Sequence, residues 1–194
     1  MGATRTFKYQ SKDFREELAR MSKVLKNMNA VELGPWTETI TVLHHKNSEF
    51  TSNLYILSHP DYQIAVISNS RSRQIIQGDT DLHRLIESTQ CFKTRQVYKI
   101  LGEAYQIGDF IFRIGIGSIV NDFRCLLIET EFVGTHYISQ ALPSIKEFMN
   151  LLDPYSKYSL VDLNYSDYFI MNSEEFSPKI SAIDTLICLN CLDL

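Results

Sequence analysis

Two glutamates one residue apart, Glu129-Thr130-Glu131, are the side chains of this sequence best spaced for chemistry. On a strand, residues i and i+2 share a face, so the pair could hold a divalent cation against a polyphosphate. Arg113 offers a competing account. If the strands around 110–116 and 126–132 pair so that both apolar rows face one way, Arg113 stands opposite Glu129 as a cross-strand ion pair. That pairing predicts a solvated outer face carrying Glu129 and Glu131, and no second E-x-E segment exists to complete a metal site.

The remaining reactive residues lack chemical spacing. His44 and His45 are adjacent and point to opposite faces of a strand, while His59, His83 and His136 show no i, i+4 histidine pattern. Cys188 and Cys191 form a C-x-x-C, but inside an apolar helical pattern and with no second such pair; Cys91 and Cys125 stand alone. Gly115-Ile116-Gly117 opens like a dinucleotide fingerprint, yet Val120 occupies the third glycine position and no helix pattern follows. These glycines suit a curved strand or a close backbone approach. No G-x-S-x-G elbow is present. The spacing assigns no catalytic, metal-binding or cofactor-binding residue and implies no cofactor.

A meander must position Glu129 and Glu131. Phe110, Phe112, Ile114 and Ile116 alternate with Arg113 and the glycines, and Leu126, Ile128 and Phe132 repeat the alternation. A three-residue loop at Val120-Asn121-Asp122 pairs Phe110 with Phe132, Ile114 with Ile128 and Arg113 with Glu129. Gly108-Asp109 suits a two-residue hairpin turn that sets Tyr105 and Ile107 beside Phe112 and Phe110. The Phe/Ile row reads as barrel core.

Upstream, Ser11–Asn29 carries Phe14, Leu18, Met21, Leu25 and Met28 on one helical stripe, with Ser11 as N-cap and Glu16 paired to Arg20. Gly34-Pro35 reads as a break before the strand containing Ile40 and Val42. NLYILS and YQIAVIS follow around a His59-Pro60-Asp61 turn, then a polar strand at Arg71–Gln77 and a short helix capped by Asp79. Downstream, Ser139 opens a helix with Ile145, Phe148, Met149 and Leu152 on one face and Pro143 near its first turn; Asp153-Pro154 ends it. No structure is assigned to the Tyr- and Asp-rich stretch up to Ser177. Ser177-Pro178 then begins a helix apolar on more than one side, expected to be deeply buried or covered by a partner.

Composition narrows the class. A chain of 194 residues, 44% hydrophobic and 22% charged, supports one domain, 1–194, around a sizeable core. A net charge of -4 argues against a broad nucleic-acid surface. No apolar run approaches the roughly 20 residues that span a bilayer, and no secretory leader pattern opens the sequence, so an intracellular protein is expected. The opening Met-Gly does fit a loose acylation pattern with Gly2 as acceptor and Thr6 as hydroxyl residue.

The segment YQIGDFIFRIGIGSIVNDFRCLLIETEFVG, followed by a helix at SIKEFMNLL, resembles the subunit 20 family of the Mediator coactivator complex. Tyr105-Gln106, Asp109-Phe110, Gly115 and the Ile128-to-Phe132 strand carry the match. The resemblance implies an α+β fold, an incomplete antiparallel β-barrel of two meanders with helices packed against it. It also implies a non-enzymatic nuclear subunit of the Mediator head module. Such a subunit pairs with Mediator subunit 18, stands in one assembly with subunit 8 and the other head subunits, and acts on the RNA polymerase II machinery without touching nucleic acid or membrane. Glu129-Thr130-Glu131 is also similar to the E-x-E strand of triphosphate-tunnel enzymes, which implies as alternative a metal-dependent triphosphate hydrolase using Glu129 and Glu131. Val133 departs from that pattern, which has a basic residue there.

Overall fold

The computed structural model describes residues 2–9, 13–47, 49–50, 52–59, 62–68, 73–119, 122–152, 158–160 and 178–189. In chain order they form β1 (Ala3–Tyr9), α1 (Phe14–Asn27), β2 (Val31–His45), β3 (Asn53–Ser58), β4 (Gln63–Ser68), β5 (Arg73–Gly78), α2 (Leu82–Ser88), β6 (Phe92–Ile107), β7 (Phe110–Ile119), β8 (Asp122–Phe132), α3 (Ile138–Leu152), β9 (Tyr158–Leu160) and α4 (Pro178–Cys188). The nine strands make one antiparallel sheet in the order β5-β4-β3-β2-β6-β7-β8-β1-β9. Two meanders, β2 to β5 and β6 to β8, are therefore joined edge to edge through β2 and β6.

The register around the central hairpins follows the alternation of the sequence. Phe110 pairs with Phe132, Ile114 with Ile128 and Arg113 with Glu129; Tyr105 pairs with Phe112 and Ile107 with Phe110 across the Gly108-Asp109 turn. Gly108 takes φ +53, a conformation glycine adopts without steric cost. Near the other turn the register slips by one between Gly117 and Ser118, and the strands close at Ile119 and Asp122 rather than around three residues. A bulge shortens the loop.

Parity decides which layer each row enters. Phe112, Ile114, Leu126 and Ile128 pack with Met21 and Leu25 of α1 and with Ile145 and Met149 of α3. The opposite row, Cys125 and Leu127, packs with Ile40, Ile100 and Val66 and with Ile183, Leu186 and Ile187 of α4. Because α4 touches β1 and β8 as well as β4, strands far apart in the sheet order, the sheet curls around it as an incomplete barrel. The Phe112 row is core, but of the layer beneath α1 and α3, and not of the barrel interior as the alternation alone suggested.

Several local expectations change. Residues 2–9 supply a strand that the sequence reading did not assign; β1 pairs with β8 from Ala3↔Phe132 to Tyr9↔Leu126. Asp13, not Ser11, caps α1, its Oδ1 accepting from the amides of Arg15 and Glu16 at 3.0 Å each; Ser11 lies outside the described residues. Arg20 pairs with Glu17 instead of Glu16, because Glu17 is drawn inward to accept a hydrogen bond from Tyr9 Oη at 3.1 Å. Gly34-Pro35 does not break the chain: β2 runs through it with a bulge between Glu32 and Gly34. α3 begins at Ile138, so Ser139 and Pro143 lie within it, while its buried row is Ala141, Ile145, Phe148, Met149 and Leu152. α4 begins at Pro178 as expected, and every described residue from Ile180 to Leu189 is buried within this chain.

Candidate functional site: a carboxylate pair closed beneath the last helix

Glu129 and Glu131 do not face solvent. Counting along β8 from Leu127, which packs against α4, puts both on the inner face, where they are 6% and 5% exposed. The outer-face expectation fails because the other row, from Leu126 to Phe132, is claimed by α1 and α3. Arg113 on β7 answers them with a forked pair, Nη1 to Glu129 Oε1 at 2.7 Å and Nη2 to Glu131 Oε2 at 3.0 Å. The remaining oxygens are also engaged. Ser181 Oγ of α4 donates to Glu129 Oε2 at 2.7 Å, and the Gly2 amide donates to Glu131 Oε1 at 2.6 Å.

This arrangement exchanges a metal-binding geometry for an ion-pair geometry. A cation held by Glu129 and Glu131 would have to displace Arg113, Ser181 or the Gly2 amide, since each of the four carboxylate oxygens already accepts a hydrogen bond. Among the described residues no group of three or more His, Cys, Asp or Glu is placed to hold a metal ion. His44 and His45 lie at the far end of β2, on a different part of the sheet. Cys188 is buried in α4, where desolvation raises its thiol pKa; Cys191 lies outside the described residues.

A third carboxyl group joins the inner face without being fully satisfied. Glu38 on β2 accepts from Trp36 Nε1 at 3.4 Å through Oε1, while its Oε2 is buried without a partner. Burial, then the negative charge of Glu129, pushes Glu38 up to about 8, so it is largely protonated at neutral pH. The same neighbourhood raises the Tyr62 hydroxyl, through burial first and then Glu129 and Glu38. Arg113 is held above its ordinary value because Glu129 and Glu131 outweigh the opposing effect of burial.

A second polar contact fixes α4 against β1. Asp184 Oδ2, fully buried, accepts from Arg5 Nε at 2.9 Å and from the Thr6 amide at 3.3 Å. Thr6 and Thr185 face one another at 3.4 Å through their hydroxyls. Sequence reading missed Arg5 and Asp184, because no local pattern marks a buried pair formed between β1 and α4. Gly117 is necessary for the same docking: a Cβ there would lie 2.6 Å from Leu189 Cδ2, so the strand's lack of a side chain leaves room for the helix end. The structure therefore brings Glu129, Glu131, Arg113 and Gly117 together under one helix, and the site it builds is an anchor.

The family model described as "TATA-binding related factor (TRF) of subunit 20 of Mediator complex" matches residues 1–179. The Mediator of RNA polymerase II transcription subunit 20b of Arabidopsis thaliana is 22% identical over 184 residues, covering 86% of this chain and 82% of that protein. Among solved structures, the Schizosaccharomyces pombe Mediator head module has a chain with a TM-score of 0.42 and 14% identity, over 78% of this chain and 94% of that one. A putative adenylate cyclase of Vibrio parahaemolyticus has a TM-score of 0.49 and 12% identity, over 82% of this chain and 91% of its own. On the match of the family model across residues 1–179, this chain belongs to the subunit 20 family of the Mediator complex.

Proposed function

We propose that this chain is a non-enzymatic subunit of the Mediator head module in the nucleus, that it pairs directly with Mediator subunit 18, and that it stands in one assembly with subunit 8. Its role is to help relay regulatory signals to RNA polymerase II and the general initiation factors, without contacting nucleic acid or membrane itself. The observation that carries this reading is the family match over residues 1–179. The inner face supports it: Glu129 and Glu131 are consumed by Arg113, Ser181 and Gly2 in holding the fold together. What the fold offers outward includes large apolar side chains on neighbouring strands, Val31 and Leu33 of β2 and Leu101 of β6, which are 63%, 50% and 53% exposed. Such groups are suited to burial against another protein.

Co-expression with subunit 18 followed by size-exclusion chromatography tests the pairing. A co-eluting one-to-one complex is expected. Separate elution of two folded monomers at micromolar concentration would contradict it.

A further inference from the structure

The sheet contains a step on β6. This strand pairs with β2 along its length, from His45↔Phe92 to Val31↔Gln106, but with β7 only from Tyr98↔Ile119 to Ile107↔Phe110. Phe92–Val97 therefore has a ladder neighbour on one side only among the described residues. Alternate amides and carbonyls along that free side are available to a further strand. An open groove of about 590 Å³ lies there, lined by Thr94, Arg95, Gln96, Val97, Lys99 and Ile119.

The charge of this step runs against that of the whole chain. Lys93, Arg95 and Lys99 are exposed within seven residues of sequence in a protein of net charge -4. Arg95 Nη1 lies 3.0 Å from His44 Nε2, an arrangement in which the guanidinium donates to a neutral imidazole. Burial first, then Arg95 and Lys93, hold the His44 pKa below its ordinary value, so the imidazole adds no charge of its own at neutral pH. Asp122 stands opposite Ile119 at the end of the β7–β8 hairpin.

We propose that the free edge of β6 at Phe92–Val97 receives an acidic peptide in extended conformation, which adds as a further strand in the space beyond the β7–β8 hairpin. Backbone pairing would supply affinity, Lys93, Arg95 and Lys99 would select acidic side chains, and Val97 and Ile119 would offer apolar contact. The same cations repel a second copy of this edge, so they close the step to self-pairing while leaving it open to a complementary strand.

The test uses the full 194-residue chain and a labelled, end-blocked peptide alternating Glu and Val, followed by fluorescence anisotropy and by amide hydrogen exchange. Saturable binding is expected, weakened about tenfold or more in a K93E/R95E/K99E variant, with slowed exchange at residues 92–97. Matching circular dichroism spectra keep loss of binding separate from loss of fold, and a K99E single variant repeats the comparison with least disturbance. No binding, equal binding of a Lys/Val peptide, tighter binding of a single-stranded oligonucleotide, or dimerisation of the chain through this edge would overturn the proposal. Binding without slowed exchange at 92–97 would overturn it as well.

Discussion

Ser181 on α4 donates a 2.7 Å hydrogen bond to Glu129 on β8, 52 residues earlier in the chain, and so ties the last described helix to the ion pair at the centre of the inner face. Removing the hydroxyl leaves one buried carboxylate oxygen short of a donor. Ser181→Ala should lower stability by about 1–3 kcal/mol. Arg113→Met should cost more, about 3–5 kcal/mol, because it strands two buried carboxylates at once. Urea unfolding curves measure both, and an Arg113→Met variant as stable as the parent would show that the network does not hold the fold.

Glu38 makes stability depend on pH in a defined direction. Its folded-state pKa, about 8, lies above its ordinary value of 4.5, so the folded state holds the proton more tightly than the unfolded chain. The resulting stabilisation is fully present below about pH 4.5 and is lost as pH rises toward 8. Glu38→Gln should therefore grow more stable relative to the parent between those values and level off above, by on the order of a few kcal/mol. Denaturation series at pH 5, 7 and 9 decide it; a difference that stays flat with pH would refute the protonated state.

Phe112, fully buried between the sheet and α3, carries the outer core. Phe112→Asp should unfold the domain, since an unpaired charge there has no solvent, whereas Phe112→Leu should cost only about 1–2 kcal/mol. Far-ultraviolet dichroism of the two variants separates the cases. A folded Phe112→Asp protein would remove that residue from the core.

Gly117 and Leu189 should behave as a coupled pair. A methyl group at 117 meets Leu189 Cδ2, so Gly117→Ala should be destabilising, and Leu189→Ala should recover part of that loss when combined with it. A double-mutant cycle gives the coupling. Strict additivity would mean that α4 does not rest on this strand.

Hydrolysis of a nucleoside triphosphate in the presence of manganese tests the triphosphate chemistry that Glu129 and Glu131 could otherwise suggest. No turnover is expected, because the four carboxylate oxygens accept from Arg113, Ser181 and Gly2. Metal-dependent turnover abolished by Glu129→Gln would reverse the assignment.

Much of this architecture was legible because alternation and turn chemistry are local. Phe110 to Ile116 and Leu126 to Phe132 specify both strands and their register, and Arg113 opposite Glu129 follows by parity. What parity does not specify is which row faces which layer. Two apolar rows flank the same strands, Leu126 and Ile128 on one side and Cys125 and Leu127 on the other, and the choice depends on α1, α3 and α4 arriving from distant parts of the chain. That is why Glu129 and Glu131 read as an outer face and proved to be inside. β1 escaped notice for a related reason: Arg5 and Thr6 are polar yet buried, because Asp184 and Thr185 of α4 supply partners that no local pattern announces.

Membership of a working Mediator assembly is decided by affinity purification of the tagged chain from its native cells, with identification of the proteins retained. Recovery of subunits 18 and 8 with the rest of the head, in near-equal amounts, is the predicted result. Retention of the tagged chain alone, or with a set of proteins lacking every Mediator subunit, would contradict it.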